Sequence, residues 1–419
     1  MTGRDPAPST EPGSGPRPRF HPLPEWTGIS TRLVHGARRP DLNAGAIAPP
    51  IYQTSTFHYP AAHSESAGGG GVYQYTRYEN PTQEVAAELI RGLEGAEAAQ
   101  VFGSGMGAIA TTLIALLRAG DEVVALESLY GGTIGLLTDL LPRYGVKVRW
   151  VRDPVDARPE DWVTPETRLV YLESPTNPTL RVVDLARWAE ASDRVGAISV
   201  VDNTFATPVG QRPLDLGVDL VVHSGTKYLG GHSDLMAGAV AGPSALIDRL
   251  RPAHRQLGSV LDPFAAFLLA RGMRTLELRF ERQSRTAGFL AAELARDPRV
   301  ERVYYPGSGT EGQAEIVGRQ MRLRGGMLAF TIAGGLPAAR AFLDHLHLVQ
   351  VAASLGSVES LVSLPLETSH AHLSEEERRR RGIEDGLLRL SVGIEEAADL
   401  RRDIFGALDA LESPAAQAL

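Results

Sequence analysis

Three short stretches of the chain hold residue types and spacings that could do chemistry. The first is Gly103-Ser104-Gly105-Met106-Gly107, which follows a short apolar run and opens a helical one. Glycines let a backbone approach an anion, and a helix N-terminus offers free N–H groups and a positive dipole end. The spacing is not GxGxxG, a Walker A loop or a GxSxG elbow, so a phosphate site and a plain strand-to-helix turn both stay open. The second is Asp202, which ends the apolar run Ile198–Val201. An acid at a strand end could hold a metal, act as a base, pair with a cationic ring nitrogen, or merely cap the next turn. The third is Val221-Val222-His223-Ser224-Gly225-Thr226-Lys227. A lysine partly desolvated among cations has a lowered pKa and can condense with an aldehyde, whereas a surface lysine after a strand is the ordinary alternative. The hydroxyls of Ser224 and Thr226 could serve the same anion as the glycine turn.

In chain order these make a phosphate cradle, an acid at a strand end, and Ser-x-Thr-Lys at a later strand end. Pyridoxal phosphate asks for that set: its phosphate held, its ring nitrogen kept protonated by a carboxylate, and its aldehyde linked to lysine. A nicotinamide-dependent oxidoreductase is the competing class, but the glycine spacing and the missing acid at the second strand end argue against it.

Further stretches join them. They are Gly45-Ala46-Ile47-Ala48-Pro49-Pro50-Ile51-Tyr52 with Ser55-Thr56-Phe57; Tyr75-Thr76-Arg77 ahead of Asn80-Pro81-Thr82; and Leu129-Tyr130-Gly131-Gly132-Thr133. Others are Glu173-Ser174-Pro175-Thr176-Asn177-Pro178, Arg271-Gly272-Met273-Arg274-Thr275-Leu276, Ser354-Leu355-Gly356 and Arg389-Leu390-Ser391-Val392-Gly393. Together they resemble the Cys/Met-metabolism family of pyridoxal-phosphate enzymes, which includes cystathionine γ-synthases, cystathionine γ-lyases, methionine γ-lyases and O-acylhomoserine sulfhydrylases. The resemblance runs from about Thr31 to Leu400.

The resemblance implies pyridoxal 5'-phosphate on Lys227. It gives the phosphate to the N–H groups of Gly105 and Met106, to Ser224 and Thr226, and to Tyr75 and Arg77 of a neighbouring subunit. The fork of Arg77 suits bidentate contact with phosphate oxygens, although a loop salt bridge is its plain alternative. Asp202 would pair with the ring nitrogen, Asn177 would meet the ring hydroxyl, and Tyr130 would stack on the ring and move protons at the γ-substituent. Arg389, flanked by Leu388 and Leu390, is hard to bury without an anion. The resemblance gives it the substrate carboxylate, with Ser354 beside it. It also implies a homo-oligomer, a dimer of active dimers making a tetramer.

Three departures bear on the substrate. Relatives that act on cystathionine usually carry glutamates where this chain has Gln74 and Ala353, and cystathionine lyases carry Asn-Arg where it has Ile134-Gly135. A pocket lacking those charges loses much of its hold on a distal amino-carboxylate. Methionine γ-lyases usually carry a cysteine where Gly132 stands. The leading expectation is γ-elimination by a carbon–sulfur lyase on a short γ-substituted sulfur amino acid. The alternative is γ-replacement on an O-acylhomoserine, in primary or specialised metabolism.

These residues need a scaffold of strand ends. The runs at Ala99–Phe102, Glu122–Leu126, Lys147–Val151, Leu169–Leu172, Ile198–Val201 and Leu220–Val222 are apolar and β-branched, which suits a mostly parallel sheet covered on both faces. A helix is expected over Met106–Leu117. The resemblance implies an α/β, aspartate aminotransferase-like fold of type I. Its large, doubly wound domain is expected over 80–270, and a smaller α+β domain over 271–419. Within the latter, Leu261–Ala292 reads as a long helical region reaching back across the boundary, Met327–Ile332 and Leu388–Val392 as strands, and 337–345 and 396–411 as helices. Ser374 and Glu377 form a capping box at the start of a charged helix. Residues 1–26 read as a disordered tail and 27–79 as an irregular arm reaching a partner subunit.

The bulk numbers set outer limits. At 419 residues the chain is too long for one ordinary core. A net charge of −8 argues against nucleic acid as a partner. No apolar run reaches the ~20 residues that span a bilayer, and no signal-peptide core opens the chain, so a cytoplasmic enzyme is expected. With no cysteine, disulfides and thiolate nucleophiles are absent. Among 11 histidines no ligand spacing stands out, and His370 and His372 are expected to be structural, with no metal.

Overall fold

The computed structural model describes residues 23–24, 27–37, 46–57, 73–152, 157–309, 311–368, 371 and 374–411. The expected tail, apart from Leu23 and Pro24, lies outside them, as do His370 and His372.

Among its described residues the irregular arm carries one helix, α1 (Ile29–His35), and it is followed by α2 (Pro81–Glu94). Asn80 starts α2 by accepting the Thr82 N–H at 2.9 Å, with Pro81 at the first helical position. Then come β1 (Ala98–Phe102), α3 (Gly105–Leu116), β2 (Glu122–Leu126), α4 (Gly131–Gly135), β3 (Lys147–Val151), β4 (Thr167–Glu173) and α5 (Leu185–Val195). Next are β5 (Ile198–Asp202), α6 (Thr207–Gly210), β6 (Leu220–Ser224), β7 (Gly238–Gly242), α7 (Ser244–Leu257), α8 (Pro263–Met273) and α9 (Leu276–Leu294). The C-terminal part holds β8 (Val300–Tyr304), α10 (Glu311–Gln320), β9 (Met327–Ile332), α11 (Gly335–Asp344), β10 (Gln350–Val351), β11 (Leu361–Ser363), α12 (Glu375–Arg380), β12 (Leu388–Ser391) and α13 (Ala397–Ala410).

The first sheet has 7 strands in the order β1-β7-β6-β5-β4-β2-β3. Strands β3, β2, β4, β5 and β6 pair in parallel, and β7 pairs antiparallel with both β6 and β1. Only β7 therefore runs against the rest. The central β5 is buried at all 5 positions, which is why it reads as an unbroken apolar run rather than an alternating one. Strand polarity has one consequence for chemistry: the C-terminal ends of β1, β2, β4, β5 and β6 all lie at the same edge.

The second sheet has 5 strands in the order β10-β11-β12-β9-β8. Its Phe330 and Leu390 pack with Leu290, Phe342 and Ile404 of the covering helices in one core cluster. The structure refines one expectation and adds one strand. The helical region Leu261–Ala292 is two helices, α8 and α9, broken at Arg274-Thr275. Strand β7 was not expected, because its sequence Gly-Ala-Val-Ala-Gly offers little bulk. The reason is close packing: a Cβ at Gly238 would lie 2.0 Å from the Ser104 carbonyl oxygen, below α3. The capping box of Ser374 and Glu377 is present. Among the described residues, no group of three His, Cys, Asp or Glu side chains could hold a metal ion.

Candidate active site

The shared strand edge opens into a cavity of about 600 Å³. Ser104, Gly105, Met106, Tyr130, Asn177, Asp202, Ser224, Thr226, Lys227, Ser354 and Arg389 all line it. Ten of the twelve residues singled out above thus meet in one place. Tyr75 and Arg77 do not. The Arg77 Nη1 donates to the Arg255 carbonyl at 2.7 Å and its guanidinium lies over the rings of Tyr75 and Tyr78.

One end of the cavity is the start of α3. Ser104 caps it, its hydroxyl accepting the Gly107 N–H at 3.0 Å. Among the described residues the N–H groups of Gly105 and Met106 have no acceptor, as the first turn of a helix dictates. Glycine is required at 105, because a Cβ there would lie 2.9 Å from Ser224 Cβ and 3.0 Å from its Oγ. The helix start and the end of β6 can converge only without that side chain. The Thr226 hydroxyl is engaged just ahead of β7, accepting the Ala237 N–H at 3.0 Å.

Asp202 ends β5 with 6% of its surface exposed. Its Oδ1 accepts from the Thr204 N–H at 3.0 Å and hydroxyl at 2.5 Å. Burial pushes its pKa up, and the Thr204 bonds and the His223 side chain pull it back. Lys227 sits in the turn after β6, where its Nζ donates to the Ser354 Oγ at 2.8 Å. Burial, and next to it the charge of Arg389, lowers its pKa to about 8. Ser354 is held at φ 100°, a left-handed conformation strained for a residue with a Cβ.

Arg389 comes from the second sheet, on β12. It is 5% exposed, donates from Nη1 to the Asn177 Oδ1 at 3.0 Å, and reaches the Ser354 carbonyl at 3.4 Å. Its Nε is buried without a partner. Burial lowers its pKa to about 10, with Glu173 acting against the shift. A buried guanidinium with an unpaired N–H is suited to an incoming carboxylate.

Tyr130 stands at the start of α4 with 42% of its surface exposed. A Cβ at Gly132 would lie 2.6 Å from the Tyr130 ring and 2.9 Å from the Met106 sulfur. The ring packs directly over that glycine, which accounts for the absence of a side chain at 132. Among the lining residues that were assigned no role in the sequence are Thr204, Glu173 and Met236. Glu173 ends β4 as Asp202 ends β5, a signal that could have found it. Met236 also lines the cavity, in a loop where no pattern marked it.

The comparisons with known proteins agree with this geometry. The model of the Cys/Met metabolism PLP-dependent enzyme family matches residues 30–409. The chain belongs to this family. Among its relatives is the L-methionine gamma-lyase of Pseudomonas putida, 45% identical over 93% of this chain and 100% of that protein. The cystathionine gamma-lyase of Bacillus subtilis (strain 168) is 42% identical over 90% of this chain and 98% of its own. A solved cystathionine gamma synthase of Xanthomonas oryzae pv. oryzae superposes with a TM-score of 0.87 at 39% identity, covering 92% of this chain and 99% of that one.

As a Cys/Met-metabolism enzyme the protein uses pyridoxal 5'-phosphate, and the cavity fits it. Two free N–H groups stand at the α3 end for the phosphate. The Asp202 carboxylate has only its Oδ1 engaged among the described residues, and Lys227 lies in the same cavity.

Proposed function

We propose that the protein is a carbon–sulfur lyase that carries out γ-elimination on a sulfur amino acid with a short, uncharged γ-substituent, methionine being the reference case. One observation carries this reading. The charged groups lining the cavity are Glu173, Asp202, Lys227 and Arg389, all close to where cofactor and substrate carboxylate would sit. The rest of the wall includes Ile109, Phe205, Met236, Ala353, Leu355 and Thr368, with no charge for a distal amino-carboxylate. Gly135 adds none either, and a Cβ there would meet nothing within 4 Å. The Pseudomonas putida relative, named for methionine, points the same way.

The geometry supports the following residue roles. Gly105, Met106 and Ser224 bind the phosphate, with Thr226 holding the loop beside it. Asp202 faces the ring nitrogen and Asn177 the ring hydroxyl. Pyridoxal phosphate, when bound, supplies an electron sink for the pairs released at the substrate's α and β carbons. Arg389, oriented by Asn177 and the Ser354 carbonyl, binds the substrate carboxylate. Lys227, with a pKa near 8, holds the cofactor at rest and removes the α and then the β proton once displaced. Tyr130 delivers a proton to the departing sulfur.

Tyr75 and Arg77 complete the phosphate site of a second copy of the chain, which makes the working unit a homodimer, paired into a tetramer. Their place outside their own cavity supports this, as do the exposed apolar side chains of Ile47, Ile51 and Tyr75 on the arm. A cytoplasmic setting fits a small amino-acid substrate; among the described residues no helix is long and apolar enough to cross a membrane.

The likeness to the Xanthomonas synthase favours γ-replacement as the second reading. A substrate panel separates them. Methionine, homocysteine, cystathionine and O-acetyl- or O-succinyl-homoserine are each supplied with and without a thiol, and 2-oxobutyrate and new thioether are measured. Oxo acid from methionine without thiol is expected. Thioether from the acyl esters alone would sink the lyase reading.

A further inference from the structure

Glu173 lies in the cavity without a part in the roles above. It ends β4 directly beside Asp202, its partner in register at the end of β5. It is 4% exposed, and its Oε2 accepts the Tyr130 N–H at 2.7 Å. Among the described residues this is its carboxyl's one hydrogen bond. Tyr130 needs such an anchor. It precedes two glycines, Gly131 and Gly132, in the first turn of α4, whose helical backbone runs on through a π-turn at Leu136–Leu140. Glycines leave that backbone free to move, and a ring 42% exposed is not fixed by packing alone. A central strand end is the most rigid support at hand.

We propose that Glu173 is a positioning residue for Tyr130, tying the turn that carries the tyrosine ring to the end of β4. The groups facing its carboxyl are Asp202 from β5, Arg389 from β12 and the Tyr130 N–H from the turn after β2. Burial, and after it the Asp202 charge, push the Glu173 carboxyl well above the usual range, against the pull of that N–H and of Arg389. The carboxyl oxygen accepts the Tyr130 N–H in either protonation state.

This inference rests on the reading of Tyr130 as the group that protonates the leaving sulfur. Its test uses the holoenzyme and four variants, E173Q, E173L, Y130F and E173L with Y130F. E173L is expected to lower kcat by about 10–100-fold with KM changed less than about threefold, and to keep the cofactor's visible band. E173Q, whose amide oxygen accepts the same N–H, keeps at least about a third of kcat. In the Y130F background, E173L costs less than about twofold more, because it acts through the tyrosine. Two results overturn the proposal: E173Q as damaging as E173L, or losses from E173L and Y130F that multiply. Should E173L fail to fold, E173A takes its place in every comparison, and an E173A that keeps full kcat also overturns the proposal. The wild-type product fixes the reaction beforehand, so a synthase outcome would move the readout to thioether and leave this inference to stand or fall by itself.

Discussion

Lys227 is an amine from which the fold has stripped water. With a pKa of about 8, against 10.5 for the free side chain, some tenth of it is neutral at pH 7 and most of it at pH 9. Only the neutral amine condenses with an aldehyde. The rate at which apoprotein regains its visible band on adding pyridoxal phosphate should therefore rise about tenfold between pH 7 and 9 and level off above. A rate still climbing past pH 10 would show that the amine is not desolvated. Lys227→Ala should show no band that borohydride erases, and turnover should fall by on the order of 10³-fold or more. Arg389 answers to a different measurement. Replacing it by lysine removes the fork that meets Asn177, the Ser354 carbonyl and the proposed substrate carboxylate together. KM for methionine should rise about 10–100-fold, equivalent to roughly 1.5–3 kcal/mol, with cofactor affinity unchanged. Loss of cofactor instead would place Arg389 in the wrong half of the site.

At the scale of elements, the site depends on α3 and β6 converging at one point. Gly105→Ala puts a methyl group 2.9 Å from Ser224 Cβ, so the helix start must retreat from the strand end. The dissociation constant for pyridoxal phosphate, titrated by its visible band, should rise about tenfold or more, since each donor to a charged phosphate counts for about 1.5–3 kcal/mol. An unchanged constant would mean that α3 does not carry the phosphate. Much of this arrangement was legible in the sequence. Long apolar runs ending in Asp202 and in Ser224 announce buried parallel strands, because a sheet covered on both faces needs no polar face. Strand β7 was hidden by its small residues; the start of α3 crowds Gly238, and the Asp219 carbonyl crowds Gly242. Strand β8, with Glu301 and Arg302 exposed in its middle, lies at the edge of its sheet and never needed an apolar run. Glu173 escaped assignment although it ends its strand as Asp202 does, and Met236 gave no signal because a loop position has no period to betray it.

At the scale of the whole molecule, one chain supplies the cradle, acid, lysine and arginine but leaves Tyr75 and Arg77 outside its own cavity. The surrounding arm is tied to its own chain by hydrogen bonds such as the Tyr52 N–H to the Thr82 hydroxyl at 2.9 Å and Gln53 to Asp262 at 2.9 Å. Should Arg77 serve a second copy, two defects carried on different chains can be separated within one dimer. Arg77→Ala would spoil the neighbour's phosphate site, and Lys227→Ala its own. A hybrid of the two then has one site with both defects and one with neither. Random re-association of equal amounts gives hybrids in about half of the dimers, so about a quarter of native activity should return from two nearly inactive parents. Mixing under mild denaturant, followed by assay and a count of borohydride-reducible cofactor, measures it. If Arg77 acted only within its own chain, every hybrid would combine one dead site of each kind, and mixing would restore nothing.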